Sequence, residues 1–328
     1  MIELESKSTV EQALRARLDV GEKALVPFLV AGFPNPVRFV AALRRVEDSG
    51  CDVVEVGVPF SDPIADGPVI QNASRHSLQK GMTLRATLDL IDRAGIEIPV
   101  VLMSYINPLI SYGCHRLARD ARAVGVRGFV IPDLPLVESR RYGGEPVNPG
   151  TIGPMDAIQQ LERDGFELIR LAAPTTRTDR LRRIGSQTRG FLYAVTITGV
   201  TGVRNRIPGE AVAFIRRARA ATHRPVLAGF GIANVTSAAL VASHCDGVII
   251  GSALVEILEK GSDRTSVAQL GRFLNRMRRM LSSVSEPPLP GRERVGVRVG
   301  RSRSTPHLTS PLKGRGVSSR IPNSEGED

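Results

Sequence analysis

Val53–Gln71, VVEVGVPFSDPIADGPVIQ, is the stretch on which the reading of this chain turns. It opens as a short, β-branched, apolar run, Val53–Val58, then breaks into a loop held by Pro59, Pro63 and Pro68 before an apolar run resumes. An apolar strand ending in a Pro/Gly/Asp loop is how a strand of a parallel sheet hands over to its crossover helix. One residue violates the pattern. Glu55 lies inside the apolar run, where a carboxylate without partners is costly. Asp62 and Asp66 follow on the loop, whose prolines restrict where they can point.

Working outward, the same unit recurs. Strands are predicted at Ala24–Ala31, Val53–Val58, Pro99–Met103, Gly128–Ile131, Glu167–Leu171, Gly190–Val195, Pro225–Ala228 and Gly247–Ile250. Each is followed by Gly, Pro, Asn or Asp and then an amphipathic, Ala/Leu/Arg-rich segment. Such alternation argues for parallel strands joined by helices. About eight units predict a single (β/α)8 TIM barrel, which needs roughly 250 residues. Thr9–Leu18 predicts an extra N-terminal helix, with Ser8 or Thr9 as cap and Glu11 three residues into it as the cap's partner.

Two segments break the rhythm. Arg140–Asp156, RRYGGEPVNPGTIGPMD, places Gly, Pro and Asn where the helix after the fourth strand belongs, and predicts an inserted loop. From Ser282 onward the chain is rich in Pro, Gly, Ser and Arg without apolar periodicity. The expected organisation is a barrel domain over 1–281 and a low-complexity, basic, disordered tail over 282–328.

Bulk properties narrow the function. The 328 residues are 42% hydrophobic, enough for one large core. No apolar run reaches the roughly 18 residues that span a bilayer, and Met1–Thr9 lacks a secretion signal, so a cytoplasmic protein is expected. Cys51, Cys114 and Cys245 are widely spaced and odd in number, which fits reduced, inert thiols. Net charge is +11, but aromatic residues make up only 4% and Trp is absent, a poor platform for stacking nucleic-acid bases. The arginines are dispersed along helix-like stretches such as Arg38–Arg45, which fits a solvated basic surface. His76, His115, His223, His244 and His307 show no metal-ligand spacing, and no Gly-x-Gly-x-x-Gly turn follows the first strand.

Burial should raise the Glu55 carboxyl pKa and suit it to carry a proton near neutrality, with a loop aspartate, Asp62 or Asp66, as an acid/base partner. A second constellation is rich in glycine: TGVTG at Thr198–Gly202, GFG at Gly229–Gly231, and Gly251–Ser252, each after a late strand. Backbone N–H groups at such turns bind phosphate, and barrels repeatedly build phosphate sites from these loops.

EVGVPFSDPIADGPVIQ, LMSYINPL, IPDLP, AAPTT, TGVTG and AGFGI, in this order between Ala24 and Ser252, resemble tryptophan synthase alpha subunits. The resemblance implies retro-aldol cleavage of indole-3-glycerol phosphate to indole and glyceraldehyde 3-phosphate, without metal or organic cofactor. By it, Glu55 and Asp66 match the catalytic pair, Asp66 accepting from the indole N–H while Glu55 shuttles protons. Gly202, Gly231, Gly251 and Ser252 match phosphate-holding positions, and Thr201 the threonine of a mobile loop. Phe28, Tyr105 and Tyr193 match the indole pocket. Asp62, Asn107, Asp133 and Pro135 match positions near a beta subunit in an alpha2beta2 heterotetramer, with neither nucleic acid nor membrane implied as partner. Two other readings stay open: another phosphate-binding barrel enzyme, and a non-catalytic scaffold using the insert and tail. Glu55 with Asp66 in the PFSDPIADG context separates the first reading from both.

Overall fold

The computed structural model describes residues 9–136, 154–195, 207–229 and 231–284. Eight strands run β1 Ala24–Val30, β2 Val54–Gly57, β3 Val100–Met103, β4 Val126–Val130, β5 Glu167–Ala172, β6 Leu192–Val195, β7 Val226–Gly229 and β8 Gly247–Ile250. All neighbouring pairs are parallel, and β8 returns to β1, so the sheet closes into a barrel. Helices α1 Val10–Asp19, α2 Pro36–Asp48, α3 Pro68–Gln79, α4 Leu84–Ala94, α5 Ile106–Tyr112 and α6 Cys114–Ala123 serve the first half. The second half carries α7 Pro154–Arg163, α8 Thr178–Gln187, α9 Gly209–Ala220, α10 Val235–Ala242, α11 Ser252–Glu259 and α12 Asp263–Ser283. Among the described residues no helix is long and apolar enough to cross a membrane.

Strand parity sorts the core into two clusters. Leu25, Leu29, Val54, Val56, Val100 and Leu102 pack outward under the helices. Ala24, Val26, Phe28, Val30, Val53, Val101, Met103, Tyr193 and Ile249 fill the lumen. Successive side chains on a strand point to opposite faces. Glu55, between the outward-facing Val54 and Val56, therefore enters the lumen, in register with Phe28 on β1 and Val101 on β3.

The lumen is stoppered at the N-terminal ends of the strands by α1. Val10 and Leu14, both 0% exposed, belong to the lumen cluster. The helix is fastened across the barrel by Glu167 at the start of β5, which accepts from the Val10 N–H at 2.6 Å and the Glu11 N–H at 3.2 Å. A carboxylate there also opposes the positive end of the helix dipole.

Strand ends lie within two residues of the sequence reading, and two other details differ from it. The cap of α1 is Thr9, and its reciprocal partner is Gln12, not Glu11. Capping from Thr9 moves the third helical position to Gln12 and frees Glu11 to pair with Arg15 and Arg224. The expected insert, 140–156, is too long by its last three residues, because α7 begins at Pro154. Proline stops a helix from the inside but opens one at its first position, where its missing N–H has no partner to lose. The rest of the insert and the tail beyond residue 284 lie outside the described residues.

Below the barrel, Asp52 ties three elements together. Its carboxylate accepts from the Arg17 Nε at 2.7 Å, the Leu25 N–H at 2.8 Å and the Arg278 Nη1 at 3.1 Å. Removing one member of a nearly buried charge network strands the others. Asp52→Ala is expected to cost about 3 kcal/mol of folding stability in urea denaturation, with little change in the cavity at the opposite end.

Candidate active site

A cavity of about 220 Å³ opens at the C-terminal ends of the strands. Its walls include Phe28 from β1, Met103 from β3, Tyr193 from β6, Ile249 from β8 and Asp66 from the loop after β2. This is the end where barrel loops build active sites.

Glu55 lies in the lumen at 1% exposure, and neither carboxyl oxygen has a hydrogen-bond partner. Burial first, and the nearby Asp66 second, push its pKa up to about 8. Asp66 is partly buried, with one oxygen enclosed and unpartnered, and burial raises its pKa to about 6. Buried polar atoms in folded proteins are almost always paired. Three orphaned oxygens on two adjacent carboxyls mark a place prepared for something else to bind. Between pH 6 and 8 the favoured arrangement is a neutral Glu55 beside an ionised Asp66.

The loop carrying Asp66 is held from three sides. The Tyr105 hydroxyl accepts from the Ala65 N–H at 2.9 Å, and its ring stacks on Phe60 at 5.0 Å between centroids. Gln71 on α3 donates its Nε2 to the Asp66 carbonyl at 2.8 Å. The Asp66 N–H itself bonds the Pro63 carbonyl at 3.1 Å. Tyr105, matched to the indole pocket by the resemblance, is, like Glu55, not among the residues that line the cavity, and its hydroxyl holds the loop that carries Asp66. Phe28 and Tyr193 do line it.

Two glycines fix those rings. A Cβ at Gly57 would sit 2.5 Å from Phe28 Cζ, and one at Gly229 would sit 2.6 Å from Tyr193 Cε1. Glycine is therefore what lets each ring lie flat against the neighbouring strand. The far wall is built from Gly231, Ile232, Ala233, Gly251, Ser252, Ala253 and Glu256. Gly231 holds a φ of 77°, a left-handed conformation favouring glycine. Gly251 precedes α11, whose first-turn N–H groups and dipole make this wall receptive to an anion. Thr201 and Gly202, the remaining loop and phosphate candidates, lie outside the described residues.

Ile70, Met103, Ile232, Ala233, Ile249 and Glu256 were not singled out from the sequence. Met103 and Ile249 share lumen parity with residues that were, and Glu256 stands one helical turn after Ser252. Of the positions assigned to a partner surface, Asp62, Asn107 and Pro135 are exposed. Asp133 is half-buried and has an internal task, accepting from the Ile106 N–H at 3.0 Å at the start of α5. Among the described residues no group of three or more His, Cys, Asp or Glu is gathered closely enough for a metal ion. Cys51, Cys114 and Cys245 are free and buried, and burial pushes the Cys245 thiol up to about 11.

Residues 14–282 match the family model of the tryptophan synthase alpha chain. The chain belongs to the tryptophan synthase alpha chain family. It is 39% identical over 254 residues to the alpha chain of Carboxydothermus hydrogenoformans, covering 77% of this chain and 90% of that one. With the alpha chain of Nitratidesulfovibrio vulgaris it shares 40% over 263 residues, 80% and 96% of the two chains. The alpha subunit structure from Legionella pneumophila superposes with a TM-score of 0.71 at 30% identity, over 83% of this chain and 97% of that one. A tryptophan synthase structure from Mycobacterium tuberculosis gives a TM-score of 0.70 at 32% identity, over 84% and 99%. As a tryptophan synthase alpha chain this protein is a carbon–carbon lyase of tryptophan biosynthesis, cleaving indole-3-glycerol phosphate to indole and glyceraldehyde 3-phosphate.

The burial of Glu55 has a consequence for stability. The folded protein holds the Glu55 proton more tightly than the unfolded chain does. That contribution is full below the ordinary glutamate pKa of 4.5 and is lost as pH rises through about 8. Relative to Glu55→Gln, wild type should lose on the order of 4 kcal/mol between pH 5 and pH 9. Parallel urea titrations of the two proteins across that range measure the difference; parallel stability curves would place Glu55 in a polar environment instead.

Proposed function

We propose that Glu55 and Asp66 carry the cleavage, and that the two ends of the cavity divide the substrate between them. The observation behind this reading is the pair of orphaned Glu55 oxygens in the lumen beside Asp66. The indole ring lies against Phe28 and Tyr193, with its N–H toward the Asp66 carboxylate. The phosphate lies at Gly231, Gly251 and Ser252.

The reaction then runs as internal proton traffic. Neutral Glu55 gives its proton to indole C3, and positive charge spreads onto the ring nitrogen, where Asp66 stabilises it. The Glu55 carboxylate next takes the proton of the side-chain hydroxyl adjacent to the ring. The oxygen's electrons form the aldehyde carbonyl, the bond between that carbon and C3 breaks, and its electron pair returns to the ring. Glu55 ends neutral, ready for the next substrate, with no cofactor required.

We assign the exposed rim after strands β2 to β4 to a beta subunit, in an alpha2beta2 assembly. Asp62, Asn107 and Pro135 lie exposed there, beside Ile64, which is 82% exposed. Asp133, holding α5, would act on that surface from beneath.

Glu55→Gln and Asp66→Asn are each expected to lower kcat for indole release by about 100-fold or more, with smaller changes in KM. In wild type, kcat/KM should be bell-shaped, with limbs near pH 6 and pH 8. Wild-type turnover in the Glu55→Gln protein would overturn the assignment. For the partner, an added beta subunit should co-elute with this chain at micromolar concentration and raise its rate.

A further inference from the structure

The anion end of the cavity carries a charge of the wrong sign for its ligand. Among the described residues lining the cavity only two are acidic, Asp66 and Glu256, and neither lysine, arginine nor histidine accompanies them. Asp66 is absorbed by the chemistry. Glu256 is not. It stands four residues after Ser252 on α11, so the two share a helix face and line the same cavity. Glu256 also borders the adjoining groove between α3 and α11, together with Glu259 and Lys260. Among the described residues its charge partner is Lys260, whose Nζ lies 3.9 Å from the Glu256 carboxylate, with the two side chains 75% and 50% exposed. Exposed pairs of this kind offset only part of a charge.

Among the described residues, a phosphate ester at this wall meets backbone N–H groups, the Ser252 side chain and a helix dipole together with the carboxylate of Glu256. We infer that Glu256 is a specificity-determining residue that opposes the phosphate, and so sets how loosely both substrate and phosphorylated product are held. The inference rests on the phosphate placement proposed above. Substrate and glyceraldehyde 3-phosphate carry the same phosphate group, so Glu256 weakens both alike. Interactions common to ground and transition states act on binding rather than on the chemical step. A loosely held phosphate also shortens the stay of the product. Lys260 tempers the effect from the outer side.

The test uses the full chain and inorganic phosphate as a competitor of indole-3-glycerol phosphate. Glu256→Gln should lower both the KM for substrate and the inhibition constant of phosphate by about two- to fivefold at low ionic strength. The KM change should exceed the kcat change, and both differences should shrink in about 0.5 M salt. Lys260→Met should move the same two constants in the opposite direction. If phosphate competes with substrate but binds Glu256→Gln and wild type equally, Glu256 has no such role and the phosphate placement survives. If phosphate does not compete with substrate in wild type at all, the placement fails and this inference falls with it.

Discussion

A carboxyl group enclosed in a barrel lumen, with neither oxygen bonded, is the constraint from which the rest of this structure follows. An ionised group there would forfeit its hydration without compensation, which costs several kcal/mol even after relaxation. The protein avoids that cost by holding Glu55 neutral until pH approaches 8. A neutral acid stored in a dry place beside an ionisable aspartate is a reagent, and the surrounding architecture keeps it so. Val54 and Val56 pack outward and force Glu55 inward. The plug of Val10 and Leu14 closes the lumen from the other end.

The same logic explains why the cavity walls alternate between bulk and absence of bulk. Phe28 and Tyr193 need Gly57 and Gly229 to lie where they do. Asp66, by contrast, sits on a loop, and loops position side chains poorly unless pinned. Here the pins are Tyr105, Gln71 and the turn at Pro63. Rigid strands thus deliver the buried acid and the ring walls, while a braced loop delivers the second carboxyl. The described residues of the proposed phosphate wall, Gly231, Gly251 and Ser252, carry no positive charge, and Glu256 lines the cavity beside them.

Much of this was legible in the sequence because period and punctuation are local. Each of the eight strands was expected within two residues of where it lies, since apolar β-branched runs end at Gly, Pro, Asn or Asp. Glu55 was visible as the one charge in an apolar strand. What the sequence concealed depends on three-dimensional neighbours or on single-residue offsets. Whether Thr9 or an earlier residue caps α1 decides between Gln12 and Glu11, and composition does not rank them. Pro154 reads as a breaker until the helix is seen to begin on it. Tyr105 reads as a pocket aromatic because its role is set by a hydroxyl reaching Ala65, 40 positions away. Glu256 looks like any solvated helix charge until α11 is seen to face the cavity.

The central claim is that Glu55 is a proton-bearing acid at neutral pH. Its most direct test is carbon-13 NMR of protein labelled at the glutamate side-chain carboxyl, with the Glu55 resonance identified by its absence in Glu55→Gln. Its carboxyl carbon should stay in the protonated position through pH 7 and titrate near pH 8. A resonance already in its ionised position at pH 6 would contradict it, and would remove the proton donor on which the reaction scheme depends.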